Sequence, residues 1–127
     1  MISNQQSYSS MIASIVLTAV IIIASLALVL VSFPKGISVD KDNNLKLSTV
    51  LGKPMRIPVD SIEMIEMPEG LLSHLIRTNG MSMGKYDYGH YKNTKTGQKM
   101  FLYLTGKPEK VCFEYDGQLF VVDDWRQ

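Results

Sequence analysis

The chain has 127 residues, a net charge of +1 and one cysteine. A single cysteine excludes an intrachain disulfide scaffold, and balanced charge gives no general pull toward nucleic acid. The 46% hydrophobic share averages two unlike parts, an uncharged apolar run over residues 11–33 and a mixed remainder sized for one small domain.

Residues 1–10 read as a polar tail without charged side chains. Residues 11–33 (MIASIVLTAVIIIASLALVLVSF) contain no charge, Gly or Pro. About 20 apolar residues at 1.5 Å rise cross a hydrocarbon core of ~30 Å, so this run predicts a single transmembrane helix. Ser14, Thr18, Ser25 and Ser32 are compatible with it, because hydroxyls bond back to the helix backbone. Pro34 and Gly36 end the helix, with Lys35 between them. A cleaved signal peptide fits less well. No Lys or Arg precedes the run, it exceeds the usual h-region, and no small-x-small site follows. Lys35, Lys41 and Lys46 lie just after the span and none lies before it, which places the C-terminal domain in the cytoplasm of a cell-membrane protein.

Residues 34–127 read as a β domain. Residues 37–39 and 45–50 alternate around the turn cluster 40–44 (DKDNN), predicting a hairpin. Residues 55–59 (MRIPV) form a third strand, whose Pro58 suits an edge or strand end. Residues 62–67 (IEMIEM) fit a strand or a helix, with a strand favoured. Residues 71–76 suit a short helix or turn. Residues 77–91 carry Gly80, Gly84 and Gly89 and predict a loop that enters a strand at Tyr88. Strands follow at 99–104, 111–115 and 118–122, the last two joined by Asp116-Gly117, a favoured hairpin turn. Asp123 could cap a terminal helix. Seven or eight short strands spaced about ten residues apart signal an antiparallel sandwich or barrel.

Residues 37–122 resemble the bacterial PH-like (pleckstrin-homology-like) domains. The matching stretches are the first hairpin ending near Gly52, residues 56–62 (RIPVDSI), 77–80 (RTNG), 84–89 (GKYDYG) and 101–104 (FLYL). The resemblance implies a mainly β fold, an antiparallel β-roll or sandwich of about seven strands, here preceded by one transmembrane helix. It does not imply catalysis. The family pattern includes a closing C-terminal helix. Here the sequence after residue 122 is short, which implies an end left open or covered by the transmembrane segment's extension or by a partner.

No enzymatic constellation stands out. Residues 80–86 are one residue short of a phosphate loop, and Tyr86 stands where Ser or Thr would hold magnesium. His74, His90 and Cys112 lack metal-ligand spacing, so no cofactor or metal is expected. Lys35, Lys46, Lys53 and Arg56 are the candidates for contact with the membrane lipid bilayer. Arg77, Asn79, Met81, Met83, Tyr86 and Tyr88 form an aromatic and Met-rich group suited to a partner, about half of it expected in the core. The sequence therefore predicts a membrane-anchored, non-enzymatic binding or scaffolding module. Its expected partner is an unidentified protein or a second copy in a homo-oligomer, with no nucleic acid. The alternative is lipid or small-ligand binding by the β-roll at the membrane surface.

Overall fold

The computed structural model describes residues 2–126. One helix, α1 (Ile2–Ser32), precedes nine strands among these residues. The helix begins at Ile2, so the residues read as a polar tail continue it, while Met1 lies outside the described residues. Its stretch Ser7–Ser32 is long and apolar enough to cross a membrane, with a mean hydropathy of 3.0 and none of it buried. The hydroxyls of Thr18 and Ser25 donate to the carbonyls of Ser14 and Ile21, both at 2.8 Å, so the polar groups within the apolar run are satisfied by their own helix.

The domain is a sandwich of two sheets. The smaller holds β1 (Pro34–Val39), β2 (Asn44–Thr49) and β3 (Met55–Pro58), in that order and antiparallel. The larger holds β4 (Glu63–Ile65), β5 (Leu75–Met83), β6 (Tyr86–Asn93), β7 (Lys99–Leu104), β8 (Lys110–Tyr115) and β9 (Gln118–Asp123), in the order β4-β8-β9-β7-β6-β5. All pairs are antiparallel except β7 with β9, because the β8–β9 hairpin folds back and inserts β9 beside β7.

The alternation of β2 decides its facing. Leu45, Leu47 and Thr49 are buried, while Asn44, Lys46 and Ser48 stand on the other side. Leu45, Leu47 and Ile57 pack onto Phe101, Tyr103, Phe113, Phe120 and Val122 of the larger sheet. The opposite face of that sheet is also apolar, with Met100, Leu102, Leu104, Cys112 and Val121 under Leu71, Leu72 and Met67. One β4–β5 connection thus covers the second face. Burying both faces explains why residues 100–104 and 119–122 read as continuous apolar runs.

Two expectations are corrected. Residues 77–83 form most of β5 and not a loop. This strand lies at the sheet edge with almost every residue exposed, so it needs no apolar alternation. Gly80 and Gly89 face each other across β5 and β6 at φ of 139° and 127°. A Cβ on Gly89 would lie 2.6 Å from the Gly80 Cα, so the glycines allow two backbones to pair closely. Of the two readings of residues 71–76, the structure has the turn, followed by the start of β5 at Leu75. Asp123 belongs to β9 and is buried, where its carboxylate accepts the amide and hydroxyl of Thr105 at 3.2 and 2.5 Å. The Asp116-Gly117 turn is as expected, with φ of 51° and 75°. After β9, Trp125 packs against the core and meets the Phe113 ring edge-on at 5.8 Å.

Candidate functional site

Strand direction sorts the candidate residues. Chain continuity and pairing give both sheets a common helix-proximal end and a common far end. β1 leaves the helix, turns at residues 40–43 and returns along β2, so Val50 and Leu51 come back to the helix end. There the Val50 amide donates to the Phe33 carbonyl at 3.1 Å, and the Leu51 amide to the Leu30 carbonyl at 3.2 Å. The last carbonyls of a helix have no partner within it, and here the β2–β3 loop supplies one to Leu30 and another to Phe33 just past the helix end. Across the junction the Phe33 and Tyr86 rings lie 4.7 Å apart, which brings the β5–β6 turn to the same place.

The Tyr103 hydroxyl fastens the sheets just above this junction. It accepts the Gly36 amide at 2.8 Å and faces the Gly36 and Ser48 carbonyls at 2.7 and 2.5 Å, one of which takes its proton. Burial pushes this phenol up to about 12.

The four membrane-surface candidates separate. Lys35 and Lys53 are exposed at the helix-proximal end. Lys46 and Arg56 pair across β2 and β3, four residues or ~13 Å of strand before Val50. Arg56 instead meets Asp40 at 3.5 Å in the far turn. The Asp40 carboxyl is held below its usual range, chiefly by the Asn44 amide, then by the Asp42 amide, Arg56 and Lys46, against the cost of burial. A basic residue absent from the candidate set, Lys85, lies at the helix-proximal end. Its ammonium is 5.3 Å from the Tyr86 ring centre. The signal available in the sequence was the Gly84-Lys85 pair as a tight hairpin turn, which returns residues far along the chain to the helix.

The partner-binding candidates separate too. Arg77, Asn79 and Met83 are exposed along β5, Met83 at 52%. Met81 is buried and Tyr88 packs against Phe101 and Tyr103, so both serve the interior. Tyr86 is half-buried against Phe33. β5 is hydrogen-bonded on one side only, and its register shifts between Arg77 and Asn79. Beside it, Ser32, Met55, Asn79, Tyr88, His90 and Phe101 line a groove of about 280 Å³.

The titratable groups do not converge. His90 meets Phe101 edge-on at 5.2 Å, His74 sits in a turn with φ of 54°, and Cys112 is buried, its thiol pushed up to about 11 by desolvation. Among the described residues, no three His, Cys, Asp or Glu lie together as a metal site would require. Gly84 and Lys85 form the β5–β6 turn, with no helix behind it to complete a phosphate loop.

Residues 36–122, most of the domain just described, match the family described as the bacterial PH domain. The chain belongs to that family. No curated protein and no solved structure matches it. The bacterial PH domain begins within β1 and ends within β9, so α1 lies wholly outside it. The stretches that carried the resemblance gain structural roles. Residues 77–80 are the bulged edge strand, and Gly84 and Gly89 mark the β5–β6 turn and the facing glycine pair. The nine strands exceed the seven that the resemblance implied, the short β4 being one of them. PH domains are in general binding modules without catalytic activity, and a PH domain behind an apolar helix fits a membrane-anchored module.

Proposed function

We propose that this chain is a single-pass, membrane-anchored, non-enzymatic PH module that binds a protein by adding a strand to β5. The partner is a second copy or another membrane protein. The observation that carries the reading is the free edge of β5, nine residues hydrogen-bonded only to β6. An unpaired edge presents backbone donors and acceptors in register for a further strand. The shift at Thr78 divides the edge, which restricts pairing to a partner strand of matching shape. Exposed Arg77 and Asn79 add side-chain selectivity. Lys35, Lys41 and Lys46, with none before the span, favour a cytoplasmic domain.

The test is a photo-crosslinking amino acid at Thr78, with Asp116 as the control position, in native membranes. The expected result is one dominant adduct from position 78 and none from position 116. Its mass distinguishes a homodimer from a different protein. No adduct at 78, or equal scattered adducts at both positions, would refute the strand-addition reading.

A further inference from the structure

We propose that the helix-proximal end of the domain is a second membrane contact. In it, Val50 and Leu51 enter the acyl boundary beside the span, and Lys35, Lys53 and Lys85 hold anionic lipid headgroups. The proposal rests on the reading of α1 as a span and goes beyond the strand-addition surface, which lies on β5.

Depth is the first argument. The Leu51 amide is bonded to the Leu30 carbonyl and the Val50 amide to that of Phe33. Leu30 lies three residues, about 4.5 Å of rise, inside the end of the apolar run. Leu51 is therefore held at the depth of the last helical turn, not above it. A loop at that depth meets lipid unless another protein covers it. Its composition suits lipid, since adjacent Val50 and Leu51 are both exposed, Leu51 at 58% being the most exposed of the domain's large apolar residues, although Val39, Met64, Ile76 and Met83 are exposed singly elsewhere. The loop's amides at 50, 51 and 52 are bonded to Phe33, Leu30 and the Thr49 hydroxyl, so three of its donors are satisfied on entering an apolar layer.

The second loop repeats the pattern. The β5–β6 turn is joined to the helix end by the Phe33–Tyr86 contact and presents exposed Met83 beside Lys85. Two loops on either side of the exit thus each offer an apolar side chain and a lysine, with Lys35 in the helix-to-strand junction.

Charge is the third argument. The far end collects Asp40, Asp42, Asp60, Glu63, Glu114 and Asp116 by strand direction. At the near end Asp87 is bonded to Ser82 and Tyr91, and Asp124 is paired with Arg126 at 3.0 Å. Glu109 also lies at this end, beside Lys107 and Lys110. The far end also carries Lys41, Lys92, Lys95 and Lys99 and is mixed in charge, whereas Lys35, Lys53 and Lys85 are the charged side chains of the helix-to-strand junction and of the two loops beside it. Basic residues at an anionic leaflet are attracted within about a Debye length, so Lys35, Lys53 and Lys85 are placed to act while Lys46 and Arg56 are not.

The experiment uses the full chain in nanodiscs of phosphatidylcholine with phosphatidylglycerol. A fluorophore is attached at Leu51→Cys, with Val50→Cys as a second variant, and native Cys112 is buried away from the reagent. Phospholipids brominated near the top of the acyl chain serve as quenchers. The expected result is strong quenching at positions 50 and 51, none at Val39→Cys in the far half of β1, and quenching at Ile22→Cys within the helix. If positions 50 and 51 behave like 39 while 22 is quenched, the second contact is wrong and the span stands. If 22 is also unquenched, the span reading fails with it. Shielding of 51 from aqueous iodide without bromine quenching would mean that protein covers the loop, which overturns the proposal. Raising the phosphatidylglycerol fraction increases quenching at 51 several-fold less in a Lys53→Glu, Lys85→Glu background than in its absence. An unchanged response overturns the headgroup role of the lysines.

Discussion

At the helix-proximal end the bonds run between distant elements. Val50 and Leu51 reach the helix, Tyr103 of the larger sheet reaches β1 and β2, and Phe33 meets Tyr86. At the far end turn side chains tie their own turn and one neighbouring segment of the domain. Asp40 accepts the amides of Asp42 and Asn44, and Asn43 reaches Asp60 at 3.3 Å. Buried Asn93 donates to the carbonyls of Gly70, Leu71 and Ser73 and accepts the amides of Lys95 and Thr96. The far-end ties join only segments of the sandwich, whereas the near end exists only once the helix and both sheets have met. The first arrangement suits a tip that keeps its shape alone, the second a joint that fixes one body to another.

The comparison breaks first at the glycine pair midway between the two ends. Gly89→Val sets a side chain where even a Cβ lies 2.3 Å from the Asn79 carbonyl oxygen, at a φ of 127°. Its expected cost, about 4 kcal/mol or more, should release β5 along its whole length. Hydrogen exchange of the full chain in nanodiscs should show amides 75–83 unprotected. Asn93→Ala removes the clasp of the 70–73 segment and leaves buried carbonyls unmet, for a loss of about 3 kcal/mol. Its exchange signature should stay at the far end, with Leu51 still protected. A loss of protection at Leu51 would show that the ends are coupled.

Tyr103→Phe is the matching change at the near end, expected to cost about 1–2 kcal/mol through the lost hydroxyl. It should raise exchange at Gly36 while residues 70–73 remain protected. The same hydroxyl makes stability pH-dependent. The folded phenol titrates at about 12, above its usual value near 10, so the unfolded chain loses the proton first. The contribution is complete below about pH 10 and is lost as pH rises toward 12. Thermal unfolding should therefore fall more steeply across that window with Tyr103 than with Phe. Part of the decline remains in the variant, because Tyr88, Tyr91 and Cys112 are also shifted upward. The smallest effect is Arg56→Ala, an exposed partner of Asp40, expected within about 0.5 kcal/mol by unfolding.

The helix, the first hairpin and the Asp116-Gly117 turn were legible because each is decided by local chemistry, namely an apolar run, an alternating strand and a turn that needs positive φ. β5 was not, since an exposed edge strand carries no burial pattern and Gly80 is a conventional loop signal. The parallel placement of β9 was hidden for a different reason, because pairing order is a tertiary choice that the strand sequence does not encode. For position alone, nearness in sequence to the span anticipated that Lys35 and Lys53 lie at the helix-proximal end. The same reasoning included Lys46 and Arg56, which the hairpin carries away, and missed Lys85, which a later hairpin brings back.

The bonds from Val50 and Leu51 to the last helical carbonyls leave no flexible tether between the span and the sandwich. The span then acts as the short arm of a lever. A nine-residue strand such as β5 reaches ~30 Å at about 3.3 Å per residue. A change of about 10° in helix tilt, well inside the range that bilayer thickness imposes, swings the far tip sideways by ~5 Å. In a bilayer, thinning or thickening of the surrounding lipid would thereby be converted into a lateral stroke of the far tip.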